Sequence, residues 1–167
     1  MERLWAPWRL QYITQEKPDS CIFCDKPRTG DDQAAHIVYR GENAFVMLNT
    51  FPYNNGHLMI APYAHLANLE DLPPATLHEI MDLCRDCTRA LRLAFRPDGF
   101  NAGFNLGAAA GAGIKDHLHL HVVPRWVGDT NFMPVLADVR VIPQALEQTW
   151  AQLREAFAQL KSQESRS

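Results

Sequence analysis

The spacing of apolar positions changes period along the chain, and each change marks an element. Residues 36–40 (HIVYR), 44–49 (AFVMLN) and 56–62 (GHLMIAP) are short, apolar and β-branched runs bounded by turn formers. They predict three strands, the first two joined by the hairpin connector GEN. Over 73–95, Leu77, Ile80, Met81, Cys84, Cys87, Thr88, Leu91 and Phe95 recur at helical spacing behind a Pro-Pro pair suited to a first turn. Residues 100–106 and 117–123 predict two further strands around the glycine-rich stretch GAAAGAGIKD. Leu146, Trp150, Leu153, Phe157 and Leu160 predict a last helix from about Pro143 to Leu160, with a polar, frayed tail at 161–167. Three strands before the first long helix and two after it predict an α+β fold, with an antiparallel sheet of about five strands and the helices on one face. The first 20 residues show no period. They carry Trp5, Trp8 and Tyr12, too much apolar area to leave in water, and read as an ordered or partner-bound arm.

Length and composition narrow the class. A chain of 167 residues, 47% hydrophobic and 21% charged, predicts one globular domain, 1–167. No apolar run approaches the ~20 residues of a membrane span, and the N-terminus lacks the apolar core of a secretory signal. A cytoplasmic protein with no membrane partner is expected. The net charge of −3 argues against general nucleic-acid binding, but leaves room for a small anionic ligand held by local groups. Met47, Met59 and Met81 read as core.

Chemistry concentrates in DHLHLHVVPRW, residues 116–126. In an extended segment side chains alternate, so His117, His119 and His121 share one face while Leu118, Leu120 and Val122 point to the other. Same-face neighbours stand about 6.6 Å apart, close enough for one phosphate to meet more than one ring. Three alternating imidazoles directly after a glycine-rich loop point to phosphate chemistry. Gly107, Gly111 and Gly113 permit close backbone approach, with consecutive N–H groups able to cradle an anion. A neutral imidazole can attack phosphorus, and a second can donate to the phosphate or leaving oxygen. A catalytic metal held by the triad itself is the alternative that histidines at i and i+2 leave open. Arg125 and Trp126 are placed either to reach phosphate and base or merely to finish the strand.

The four cysteines form two CxxC pairs. Cys84 and Cys87 follow the apolar stripe of the long helix and read as packing. Cys21 and Cys24, in the non-helical SCIFCDKP, could reach one zinc ion, and two more ligands would be needed.

HLHLHVV resembles the signature of the histidine triad family of nucleotide hydrolases and transferases. NTFPYNNGHLMIAPYAH resembles the family's second block, and AGAGIKDHLHLHVVPRW with GDTNFMP resembles the bacterial branch that includes diadenosine tetraphosphate phosphorylases. The likeness spans roughly residues 3–143. It implies that His119 takes a nucleotidyl group covalently, that His121 binds the same phosphate and that His57 supports the triad. It also implies that Asn49 meets ribose, and that Asn105 and the loop Gly111, Ala112 and Gly113 line the phosphate path. The expected substrate is a nucleotide or dinucleoside polyphosphate, with a divalent cation as its companion. The resemblance further implies a homodimer and a structural zinc on Cys21, Cys24, His65 and His117. Hydrolase members carry Gln then Ser or Thr where Gly113 and Ile114 stand here. Hydrolysis of dinucleotides or nucleoside phosphoramidates, and nucleotide binding with little activity, remain alternatives at this point.

Overall fold

The structure is a computed structural model that describes residues 20–129 and 144–166. The aromatic arm, Pro143 and most of GDTNFMP lie outside the described residues. A helical turn α1 (Ile22–Asp25), a 3-10 turn (Lys26–Thr29) and α2 (Asp32–Ala35) lead into β1 (Ile37–Arg40), β2 (Ala44–Leu48) and β3 (Leu58–Pro62). The long helix α3 (Pro74–Phe95) follows, then β4 (Gly99–Phe104), β5 (Leu120–Arg125) and α4 (Leu146–Glu164). The strands form one sheet in the order β1-β2-β3-β5-β4, every neighbouring pair antiparallel. The expected α+β architecture is therefore what the chain adopts.

Both long helices cover one face. Val46, Leu48, Leu58, Ile60, Leu118, Leu120 and Val122 pack there against Ile80, Cys84, Cys87 and Leu91 of α3 and Leu153, Phe157 and Leu160 of α4. The opposite face has a smaller cluster in which Phe23 of α1 meets Ile37, Phe45, Met47, Met59 and Ala61. Strands β2 and β3 are thus buried on both sides, which is why their sequences read as continuous apolar runs instead of alternating ones. Among the described residues no helix is long and apolar enough to cross a membrane.

Five details differ from the sequence reading, the first being that SCIFCDKP, expected to be non-helical, is helical over Ile22–Asp25 and continues into a 3-10 turn at Lys26–Thr29. Met81 is 53% exposed, because the buried stripe of α3 runs through Thr76, Ile80, Leu83, Cys84, Cys87, Ala90 and Leu91 and leaves position 81 on its flank. The tail does not fray at 161. Helix α4 continues to Glu164 because Lys161 donates to Asp86 (2.6 Å) and Arg89 to Glu164 (2.6 Å), tying its last turn to α3. His36 leaves the first strand for a left-handed conformation, φ 58°, that caps α2. The ladder of the fifth strand begins at Leu120, so His117 and His119 sit in an extended lead-in whose Leu118 N–H bonds to the Leu66 carbonyl (2.7 Å). The alternation survives without the ladder: Leu118 is buried on the helix side, and Phe23 packs on His117 and His119 from the other.

Candidate active site

Strand β5 lies between β3 and β4, and His121 stands directly across from Met59 on one side and Gly103 on the other. A glycine opposite the ring leaves space beside it. His57 reaches the site from the residue before β3. Its backbone follows Gly56, whose φ of +76° and whose packing against Leu91 and Phe95 of α3, 3.0 to 3.3 Å from a would-be Cβ, both exclude a side chain.

The hydrogen bonds determine which ring nitrogen carries each proton. The Tyr53 backbone N–H donates to His57 Nδ1 (3.0 Å), and the Asn49 amide lies 3.4 Å from the same nitrogen. A backbone N–H can only donate, so His57 Nδ1 is the acceptor and its proton is on Nε2. That Nε2–H meets His121 Nδ1 at 2.9 Å, which puts the His121 proton on Nε2 as well. Asn105 Nδ2 lies 3.5 Å from that Nε2, so two donors face each other, and the Asn105 side chain accepts from the ring only after its amide turns over to present the oxygen. His119 is fixed in the opposite sense. Its Nδ1–H donates to the His117 carbonyl (2.9 Å), so Nε2 keeps a lone pair. The His119 and His121 rings stand edge to face, centroids 4.8 Å apart. One ring offers a nucleophilic nitrogen and its neighbour an N–H donor, with no net charge on either.

Neutrality follows from burial. Desolvation pushes the His121 imidazole down from 6.5 to about 4, with the nearby His119 acting in the same direction. His119, only 6% exposed, is lowered by burial against the opposing pull of its bond to the His117 carbonyl. In the unfolded chain His121 takes its proton below about 6.5, whereas the folded chain refuses it until about 4. Folding stability from this ring is full above 6.5 and is lost as pH falls toward 4. Thermal unfolding midpoints are expected to drop between pH 7 and pH 4.5, and His121→Asn should flatten that slope. An unchanged slope in a folded His121→Asn protein would show that its protonation is not resisted.

The residues suited to a metal are those the resemblance implied. Cys21, Cys24, His65 and His117 bring one ligand atom each within 4.8 Å of the others, the one such group containing cysteine or histidine among the described residues. Cys21 Sγ and Cys24 Sγ lie 3.3 and 3.6 Å from His117 Nδ1, Cys24 Sγ 3.3 Å from His65 Nδ1, and the two Nδ1 atoms 3.2 Å apart. The edges of a tetrahedron with zinc–sulfur and zinc–nitrogen bonds of ordinary length are about 3.3–3.8 Å. His117 Nε2–H donates to the Pro62 carbonyl (2.8 Å), leaving Nδ1 as the lone-pair nitrogen that a metal requires. The donor set, its spacing and this tautomer fit a closed four-ligand site. Burial and the adjacent Cys21 raise the Cys24 thiol, so metal binding there displaces a proton.

Other expected residues fall elsewhere. Cys84 and Cys87 are buried in the helix-side core, as packing requires. Arg125 is committed to Asp129 through two bonds, 2.6 and 2.8 Å, and to Asn101 (2.7 Å), which is the strand-end role. Residues 107–112 do not hold out a row of free donors. A 3-10 turn at Ala108–Ala110 points the N–H groups of Ala110, Gly111 and Ala112 at the carbonyls of Gly107 and Ala108. Sequence reasoning missed Phe23, which seats both His117 and His119, although its place inside CIFC was a usable signal. It also missed the Tyr53 N–H and the Pro62 carbonyl, backbone groups that leave no mark on residue type.

A lone-pair imidazole beside a donor imidazole, carried on an antiparallel sheet and next to a cysteine–histidine cluster, is an arrangement chemically capable of attack on a phosphate. Residues 31–127 match the HIT domain family model, and the chain belongs to that family, named for its histidine triad. It is 39% identical over 158 residues to an AP-4-A phosphorylase of Mycobacterium tuberculosis, covering 89% of this chain and 80% of that one. Its fold is similar to a zinc-bound histidine triad family protein of Mycobacterium smegmatis, with TM-score 0.69 and 33% identity over 86% of this chain and 96% of that one. A hypothetical histidine triad nucleotide-binding protein of Sulfolobus tokodaii also matches, with TM-score 0.69 and 26% identity over 84% and 94% of the two chains.

Proposed function

We propose that the protein transfers a nucleotidyl group through a covalent nucleotidyl-histidine on His119, cleaving a dinucleoside polyphosphate such as diadenosine tetraphosphate by phosphorolysis. The observation that carries this reading is the opposed proton placement on adjacent rings: bare Nε2 on His119, Nε2–H on His121. In the first step His119 Nε2 attacks the α-phosphorus, a P–N bond forms, and the P–O bond to the remaining phosphates breaks. ATP departs from diadenosine tetraphosphate. The Nδ1–H held by the His117 carbonyl stays in place, so the modified ring becomes an imidazolium that is a good leaving group for the second step. Inorganic phosphate then attacks the same phosphorus, the P–N bond breaks, and ADP leaves.

His121 donates to a non-bridging oxygen as charge builds on it, while His57 keeps that donor pointed outward. In this reading Asn49, beside His57, meets the ribose, and Asn105, beside His121, lines the phosphates together with Gly111 to Gly113. A divalent cation accompanies the polyphosphate as part of the substrate. Zinc on Cys21, Cys24, His65 and His117 is structural in this reading, since four protein ligands leave it no open position. Phosphate is the preferred acceptor because of the likeness to the mycobacterial phosphorylase. The expected products of diadenosine tetraphosphate with phosphate are ADP and ATP in equal amounts. AMP and ATP in the presence of phosphate would make the protein a hydrolase, and no turnover of any dinucleotide would overturn the reading.

A further inference from the structure

We infer that Asp129 is a positioning residue for His121, acting through Asn54 and the loop that presents the Tyr53 N–H to His57. Its catalytic meaning rests on the function proposed above. The loop between β2 and β3 contains no regular structure, yet its Tyr53 N–H, the shorter of two donors to His57 Nδ1 beside the Asn49 amide, holds that nitrogen as an acceptor. The Tyr53 ring packs on His57 and His121, centroids 4.6 and 5.8 Å away, and the next residue ties its backbone to the sheet. Asn54 Nδ2 donates to Asp129 Oδ2 at 2.8 Å and to the Pro124 carbonyl at 3.2 Å, while the Asn54 carbonyl accepts the His57 N–H at 3.2 Å. The Asp129 side chain is only 9% exposed and is compensated by the two bonds from Arg125 and by the Trp126 N–H (3.2 Å). A nearly buried carboxylate therefore clamps the loop to the end of β5, the strand that carries His121.

Proton direction makes this clamp consequential. If the Tyr53 N–H withdraws, His57 can move its proton to Nδ1 and turn its Nε2 into an acceptor. His121 must then place its own proton on Nδ1 to meet it. The His121 Nε2 facing the phosphate becomes an acceptor, repelled by the oxygen it should stabilise. Nothing in the rings themselves forbids this reversed relay. The Asn54–Asp129 bond does so by fixing the backbone that starts it.

The test uses the metal-loaded full chain labelled with nitrogen-15, without substrate, and reads the ring-nitrogen shifts of His57 and His121 above pH 6.5. In the wild type both rings should be in the Nε2–H form. Asp129→Ala and, independently, Asn54→Ala should each convert a substantial fraction of His121 to the Nδ1–H form. They should also lower kcat by about tenfold with little change in KM, a part of what a positioned proton donor contributes. Asp129→Asn, whose amide oxygen can still accept from Asn54, should restore both. Unaltered ring nitrogens in folded Asn54→Ala or Asp129→Ala, or an Asp129→Asn as damaged as Asp129→Ala, would overturn the inference. Because the spectrum needs no turnover, an inactive wild type whose His121 proton still follows Asp129 would sink the proposed reaction and leave the clamp standing.

Discussion

His119→Gln is expected to lower kcat for dinucleotide cleavage by about 10⁴-fold or more while leaving thermal stability and metal content nearly unchanged. Glutamine can refill much of the volume against Phe23 and still donate to the His117 carbonyl, but its amide has no lone pair able to open the P–O bond. Binding of the phosphates by the remaining donors should persist, so the defect belongs to kcat and not to KM. Intact-mass analysis of wild-type protein quenched during turnover should show a nucleotidyl adduct that His119→Gln lacks. A variant within tenfold of wild type would mean that another group attacks phosphorus.

Cys24→Ala is expected to abolish stoichiometric zinc and lower the unfolding midpoint by about 10 °C. A ligand present at ~1,000 times its dissociation constant stabilises the folded chain by about 4 kcal/mol, and each kcal/mol is about 2–4 °C for a domain this size. The effect is large because the cluster joins α1, the segment after β3 and the lead-in to β5, three pieces far apart in the chain. A chelator should lower the wild-type midpoint equally and leave Cys24→Ala unmoved. The rate should also fall, by about 10- to 100-fold, since the His117 carbonyl that sets the His119 proton belongs to a residue of that cluster. A wild-type midpoint indifferent to chelator would refute a structural metal.

The histidine face was legible because leucine and imidazole alternate strictly from His117 to Val122, and that period alone separates a core side from a chemical side. The two helices were legible from their stripes. Met81 misled because its three-residue step from a helical neighbour is as good a match to the period as that of the buried positions, and only the neighbouring sheet decides which flank is covered. The end of α4 was hidden because Lys161 and Glu164 look like a solvated tail until Asp86 and Arg89 of another helix stand opposite. The four-ligand cluster was visible through resemblance, since the positions of Cys21, Cys24, His65 and His117 in the chain do not by themselves bring them together. The proton directions were not visible at all. They depend on the Tyr53 N–H, which any residue but proline would supply, and on the His117 and Pro62 carbonyls, which any residue would.

The two-sided lead-in to β5 also limits how this segment can evolve. Its leucines seal the helix-side core, while under the proposed function its imidazoles would serve metal binding, attack and donation in turn. Removing or adding a single residue between His117 and His121 would invert parity from that point on, sending rings into oil and leucines into the reaction chamber. Point substitutions there cost one role at a time. An odd-length indel costs all of them at once, so tolerated insertions should lie outside this segment.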